Sequence, residues 1–365
     1  MIIGVPREIK KDEYRVGLLP VGVQLLREDG HAVLVERDAG LASGFPNDTY
    51  LAAGAEIVDT PEQIYGRAEL VVKVKEPQPD EIRLLRPGQI VFCFFHFAAS
   101  RQLTLACLEA GISALAYETL GDESGRLPLL TPMSEIAGRM SVQEGAKYLE
   151  KPMMGQGILL AGVPGVPPAD VLILGGGVVG TNAARMAAGL GANVTIMDVS
   201  LDRLRYLDEI LPPNVTAIYS DPHTIADYAA RADLVIGAVL IPGGRAPILI
   251  DRPLLAKMKT GSVIVDVSID QGGCAETSRP TTHSEPTYLT EGVVHYCVTN
   301  IPGAVSRTSS QALCNATLPY IRELACLRLD AFQAEKAGYA AAVNIRDNRI
   351  VNPAVARAFP DLASD

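Results

Sequence analysis

Three glycines, Gly175, Gly177 and Gly180, stand between a short apolar run (Val171 to Leu174) and a helical pattern through Met186 and Leu190; a second β-rich run, Val194 to Met197, then closes on Asp198. Strand, glycine turn, helix, strand and terminal acid in that order form a βαβ unit suited to an anionic ligand. Gly175 permits a tight turn off the strand, Gly177 removes the side chain where a pyrophosphate must approach, and Gly180 lets helix and strand pack closely. The unpaired N–H groups of the helix start would face the anion. Glycine-rich turns also close ordinary helix–strand corners, and it is the full ordered set that separates a dinucleotide site from such a corner. Asp198 stands where a carboxylate accepts both ribose hydroxyls of NAD and repels a 2′-phosphate, so the pattern favours NAD over NADP. Arg203 is of a type that meets a 2′-phosphate, but with Asp198 intact it reads as a cover on the adenosine side.

Other chemistry-bearing residues fall at strand ends. The run Leu70 to Val74 leads into Lys75, and the run ending in FFHF brings His96 to a strand edge. Carboxyl ends of parallel strands are where an open α/β sheet presents functional groups. A histidine so placed is either a satisfied core residue or a group that exchanges protons near neutral pH. Cys93 and His96 are spaced CxxH, but an odd separation on a strand points them to opposite faces and argues against a shared metal. Asp270 follows VIVDVS in SIDQGG, where a carboxylate is either a turn former or an acid facing a cofactor's reactive end; Asp266, inside the strand, reads as structural. Arg15, in PREIKKDEYRVGLLP, lies among charges that by themselves describe a solvated loop.

The elements that must position these residues are legible in outline. At 365 residues the chain is long enough for two domains with separate cores, and 48% of it is hydrophobic. A net charge of −10, with no basic face evident, speaks against nucleic acid as a partner. The start, MIIGV followed by charges, reverses the order of a signal peptide, and the uncharged stretch Met153 to Ala169 is broken by Gly and Pro; the expectation is a cytoplasmic protein with no membrane segment. Six cysteines without a CxxC pair suit buried reduced thiols rather than disulfides or zinc.

Up to about Arg126, strand-like runs at Ile2 to Val5, Ala32 to Glu36, Leu70 to Val74, Ile90 to Phe94 and Ile112 to Ala116 alternate with helical ones such as Gly22 to Glu28 and Gln102 to Ala110. That rhythm implies a doubly wound parallel sheet without the glycine fingerprint, built to hold something other than a dinucleotide. After the linker GDESGRLPLL, Thr131-Pro132 predicts a helix with Thr131 as N-cap, running to about Leu149. Buried strands are expected at Leu234 to Leu240 and Val263 to Ser268, and a long helix from Thr308 past Leu324, kinked at Pro319. The expected architecture is α/β: two Rossmann-like doubly wound parallel-sheet domains separated by an active-site cleft. Residues 1–128 with 307–365 would form the substrate domain and residues 129–306 the NAD-binding domain.

Longer stretches carry a resemblance. PREIKKDEYRVGLLP, VVKVKEP, FFHFAAS, the block from PLLTPMSEIAGRMSVQEGAKYLEKPMMGQG to LGGGVVGTNAARMA, DQGGCAETSRPTTHSEPTY and GVVHYCVTNIPGAVSRTSSQALCNATLPY together resemble bacterial L-alanine dehydrogenases, from the N-terminus to about Leu324. The resemblance implies NAD-dependent oxidation of L-alanine to pyruvate and ammonia, the reverse reductive amination, and a homohexamer. By motif, Arg15 and Lys75 would hold the substrate carboxylate, and His96 and Asp270 would be the acid–base residues. It also implies nucleotide contacts at Ser134, Val178, Val179, Ser220, Val239, Leu240, Val267, Asp270, Arg279, Val298 and Asn300. Met133 would pack near the cleft.

Two departures from the family pattern matter. Ser306 stands where the family usually has proline, and Glu323 is followed one turn later by Leu327, where some relatives carry a histidine for a metal; no metal is carried over. Two other readings remain open at this point: a transhydrogenase-like NAD(H) module that passes hydride to a partner, and a saccharopine-dehydrogenase-like enzyme with a bulkier substrate. Retention of Arg15, Lys75, His96 and Asp270 together weighs against a pure nucleotide carrier.

Overall fold

The computed structural model describes residues 1–241 and 245–363. Its strands are β1 (Ile2–Val5), β2 (Ala32–Glu36), β3 (Glu56–Val58), β4 (Leu70–Lys75), β5 (Ile90–Phe94), β6 (Ser113–Ala116), β7 (Asp170–Leu174), β8 (Asn193–Asp198), β9 (Val215–Tyr219), β10 (Leu234–Gly237), β11 (Val263–Asp266), β12 (Thr287–Thr290), β13 (Val293–Tyr296), β14 (Val343–Arg346) and β15 (Arg349–Ile350). The chain divides into two compact units, one of residues 1–133 with 303–365 and one of residues 134–302.

The first unit carries an eight-stranded sheet in the order β15-β14-β6-β5-β4-β1-β2-β3. Strands β3 to β6 in this order are parallel, and winding reverses between β1 and β4. Strands β5 and β6 are buried along their whole length, as apolar runs covered by helices on both faces should be. A core of Tyr65, Val71, Val91, Phe95, Leu103, Cys107 and Ile345 packs on one side; each fully buried Val, Leu, Ile or Phe side chain contributes about 1.5–3 kcal/mol.

The second unit repeats the plan. Its order is β12-β13-β11-β10-β7-β8-β9, parallel from β13 to β9, with winding reversed between β7 and β10. Its core includes Leu172, Leu174, Met197, Ile225, Val235, Leu255 and Ile264. Both units thus have the doubly wound α/β form. Neither sheet is purely parallel, because β12 and the hairpin β14–β15 add antiparallel edges that the rhythm of the sequence does not announce.

Several local expectations are corrected. Thr131 lies inside the helix Thr131–Tyr148 rather than capping it: its N–H and its hydroxyl both reach back to the Leu127 carbonyl, because the preceding turn already supplies a helical bond. The long helix Ser306–Glu335 passes through Pro319 and breaks instead at Arg328 (φ 67°, ψ 167°). Buried Leu313, Cys314, Thr317, Ile321 and Leu324 hold its axis across the proline. Strand β11 ends at Asp266, and the chain turns into a short 3-10 helix, Val267–Gln271, where a longer strand was expected. Five cysteines are buried, but Cys326 is exposed beside His31.

Candidate active site

In an open doubly wound sheet, ligands bind beyond the carboxyl ends of the strands, at the point where winding reverses. In the first unit that point lies between β1 and β4. The segment after β1 contains Arg15, and β4 ends on Lys75. Gly17 fixes this segment against β4: a Cβ there would stand 2.8 Å from the Val72 carbonyl oxygen and 3.1 Å from the Lys73 Cα, so only glycine allows the approach. Lys75 pairs across the sheet with Phe94, the last residue of β5, and His96 follows two residues on.

Arg15 is buried at 2% exposure, which overturns the solvated-loop reading of its local sequence. Its Nε and Nη2 donate to the Glu13 carboxylate at 2.7 and 2.5 Å, and Nη1 reaches the Met133 sulfur at 3.0 Å. A bidentate partner of this kind fixes both charge and direction. Lys75 is half-buried, and its Nζ donates no hydrogen bond among the described residues. Burial, then the positive charges of Arg15 and Lys10, hold its ammonium below the ordinary lysine range.

Two residues before Lys75 on β4, Lys73 is wholly buried and shared between Glu8 (3.2 Å) and Glu81 (2.6 Å). Two carboxylates on one ammonium leave an excess negative charge, and burial pushes the Glu8 carboxyl up to about 7. Glu8 also accepts the Val74 N–H at 2.6 Å, which ties this network to the strand that carries Lys75.

His96 is exposed and sits in the left-handed region (φ 52°, ψ 42°). Its ring lies parallel to that of Phe94 at 5.9 Å and makes no hydrogen bond among the described residues. Cys93 is fully buried within β5, whereas His96 is exposed past the strand's end, so strand alternation does not decide how the CxxH pair is divided. The long helix Ser306–Glu335 belongs to this unit: Ser310 accepts the Val16 N–H at 3.0 Å, and Ser306 donates to the Ala42 carbonyl at 3.0 Å.

In the second unit, winding reverses between β7 and β10, and the glycine turn follows β7. Gly175 has φ +104°, and a Cβ on it would lie 2.6 Å from the Ala238 carbonyl oxygen, just past β10. A Cβ on Gly180 would overlap the Gly175 carbonyl oxygen, whereas one on Gly177 would meet nothing within 4 Å. Two glycines therefore serve the fold and the third leaves space. Gly177 caps the helix Val178–Gly189, whose first N–H groups border that space, so the residues present fit a pyrophosphate.

Asp198 closes β8 with both oxygens engaged by backbone, Oδ2 by the Gly176 N–H (2.8 Å) and Oδ1 by the Ser200 N–H (2.9 Å). Each oxygen keeps a second lone pair for a hydroxyl. Arg203 donates to the Gly176 carbonyl (2.6 Å) and the Thr181 hydroxyl (2.7 Å), bracing the glycine turn.

The remaining nucleotide candidates cluster by position. Ser220 follows β9; Val239 and Leu240 follow β10; Val267 and Asp270 lie in the turn after β11; Val298 and Asn300 follow β13. All are at carboxyl ends of parallel strands. Arg279 stacks over Tyr288 at 4.2 Å, and Ser134 is half-buried on the helix Thr131–Tyr148. Asp270 is exposed and accepts no hydrogen bond among the described residues, next to Gly272 and Gly273, both at positive φ. Asp266 is structural, accepting from the backbone of Ser268 and Cys274 and from the Ser278 hydroxyl.

Sequence reasoning missed Glu13 and Glu118. Glu118 follows β6 directly and accepts the N–H groups of Phe95 (3.2 Å) and His96 (2.5 Å). The strand-end rule that singled out Lys75 and His96 applies to it equally.

The family model described as the alanine dehydrogenase/PNT N-terminal domain matches residues 4–137, and its C-terminal counterpart matches residues 141–353. The alanine dehydrogenase of Bacillus subtilis (strain 168) is 54% identical over 98% of this chain and 94% of its own length. That of Halomonas elongata is 51% identical over 98% of this chain and 97% of its own. A solved L-alanine dehydrogenase structure superposes with a TM-score of 0.96 at 52% identity, covering all of both chains. The chain belongs to the alanine dehydrogenase/PNT family.

Proposed function

We propose that the chain oxidises L-alanine to pyruvate and ammonia with NAD and catalyses the reverse reductive amination. The observation that supports the residue roles is that Arg15 and Lys75 come from the segments after β1 and at the end of β4, which flank the reversal point of one sheet, with His96 just past the neighbouring β5. The glycine turn occupies the corresponding point of the other, with Asp198 at the end of the neighbouring β8. Residues 1–128 with 307–365 act as the substrate domain and residues 129–306 as the NAD domain in this reading.

The nicotinamide cofactor supplies a hydride acceptor for the forward reaction. The chain's own groups do the rest. Arg15, held by Glu13, and Lys75 orient the substrate carboxylate; so small a substrate offers little else to grip. As hydride leaves the α-carbon, the substrate nitrogen becomes an iminium, water adds, and ammonia departs from the carbinolamine. His96 exchanges the protons of those steps at its free imidazole, and Asp270 steadies the attacking water. For hydride to pass, the nicotinamide held by one unit has to reach the substrate held by the other. Ser134, Val178, Val179, Ser220, Val239, Leu240, Val267, Arg279, Val298 and Asn300 border the nucleotide, largely through backbone and apolar surface.

NAD is the favoured cofactor because Asp198 presents a fixed negative charge where NADP would place its 2′-phosphate. A homohexamer in the cytoplasm completes the reading and follows from the family resemblance. Among the described residues no helix is long and apolar enough to cross a membrane.

His96→Ala tests the assignment. Turnover should fall by about 10²- to 10⁴-fold while NADH affinity, measured by calorimetry, stays at the wild-type value. Normal turnover in that variant would remove His96 from the mechanism.

A further inference from the structure

We propose that Glu118 is a positioning residue for the reaction, setting the direction of the His96 imidazole through the backbone; this deepens the reading of His96 given above and rests on it. Strands β5 and β6 run in parallel register as far as the pair Cys93 and Ala116. Beyond that rung both chains turn away, β6 into the short helix Tyr117–Thr119 and β5 into the segment carrying His96. The N–H groups of Phe95 and His96 donate to one carboxylate, Oε2 and Oε1 of Glu118 respectively. The carboxylate stands where the next rung of the ladder would offer a carbonyl.

His96 adopts φ 52° and ψ 42°, a left-handed conformation that a residue with a Cβ enters only when its surroundings impose it. The imidazole makes no hydrogen bond of its own among the described residues. Its aim is therefore set by its backbone and by the parallel Phe94 ring. Phe94 is in turn wedged by the edge of Tyr117, centroid to centroid 5.1 Å, in the same turn as Glu118. The turn after β6 thus governs both the backbone and the ring neighbour of His96. A turn-capping carboxylate such as Asp221 accepts N–H groups of its own segment; Glu118 takes two from a neighbouring segment, that of Phe95 and that of His96 itself, the residue that must move protons.

The test is a double-mutant cycle in the intact enzyme with L-alanine and NAD. Glu118→Gln keeps the shape but sets an amide NH₂ against one of the two N–H donors; Glu118→Ala removes both acceptors. His96→Asn supplies the reference background, since asparagine tolerates the left-handed region. Either Glu118 variant should lower kcat by about 10- to 100-fold, with NADH affinity and KM for alanine within about twofold of wild type. In the His96→Asn background, adding Glu118→Ala should change the residual rate by less than about twofold. Equal losses in both backgrounds, or a loss of kcat matched by a loss of NADH affinity, would make Glu118 a residue of the fold alone. Wild-type kcat in Glu118→Ala beside an impaired His96→Asn would overturn the positioning role only. Full turnover in His96→Asn would overturn the reading of His96 as well.

Discussion

Gly177→Ala separates what the glycine turn does for the fold from what it does for the ligand. In the protein alone, a methyl at this position meets nothing within 4 Å, and the backbone (φ −68°, ψ −161°) lies at the margin of the extended region, not in left-handed space. Replacing glycine reduces the freedom of the unfolded chain, worth about 0.4–1 kcal/mol of stability. Against that, alanine is a poorer N-cap than glycine by a similar amount. The two nearly offset, and the thermal midpoint should move by no more than about 2–4 °C in either direction. The same methyl, however, occupies the approach that a pyrophosphate makes to the helix N-terminus. Loss of one charge-assisted backbone hydrogen bond costs about 1.5–3 kcal/mol, which weakens NADH binding by about 10- to 100-fold. Calorimetric titration with NADH, beside a thermal melt without ligand, reads both quantities. Wild-type NADH affinity would refute the placement of the pyrophosphate; a collapse of the unliganded protein would refute the claim that the space is open. Gly180→Ala, whose methyl overlaps a backbone oxygen, should do the reverse and fail in the melt.

Asp198→Ala should weaken NADH and narrow the preference over NADPH, because it removes the charge that repels a 2′-phosphate; a ratio of kcat/KM values for the two cofactors equal to that of wild type would show that Asp198 does not read the ribose. The Lys75 ammonium, held below the ordinary lysine range by burial and by Arg15 and Lys10, loses its proton at lower pH than an exposed lysine. Pyruvate affinity for the enzyme–NADH complex should therefore decline as pH rises, beginning below the ordinary lysine value of about 10.4, and Lys75→Gln should bind weakly with a flatter profile. Parallel pH profiles for the two proteins would separate Lys75 from the substrate carboxylate.

Much of this was readable from residue order because the physics is local. A glycine that must turn, a glycine that must leave space and an acid at the next strand end announce themselves within one βαβ unit. Fully apolar runs such as Ile90 to Phe94 mark strands buried on both faces, and the residues just past them, Lys75 and His96, inherit a position at the sheet's carboxyl edge. What stayed hidden depends on contacts between distant segments. Arg15 looks solvated among its charged neighbours, yet enclosure with Glu13 and Met133 buries it. Glu118 matters only because β6 lies beside β5. Pro319 is a kink by propensity, and packing of the long helix on its unit moves the break to Arg328. The antiparallel edges β12 and β14–β15 are short, and no periodic pattern over so few residues distinguishes them from loop.

The measurement that bears most directly on the central claim is the loss of NADH absorbance on adding pyruvate and ammonium, run beside each alone, NADPH in place of NADH, and 2-oxoglutarate with lysine. Oxidation that requires pyruvate and ammonium together, and prefers NADH, is the expected result. NADH that binds but is consumed in none of the mixtures would contradict the account and point to a nucleotide-binding module that passes hydride to a partner.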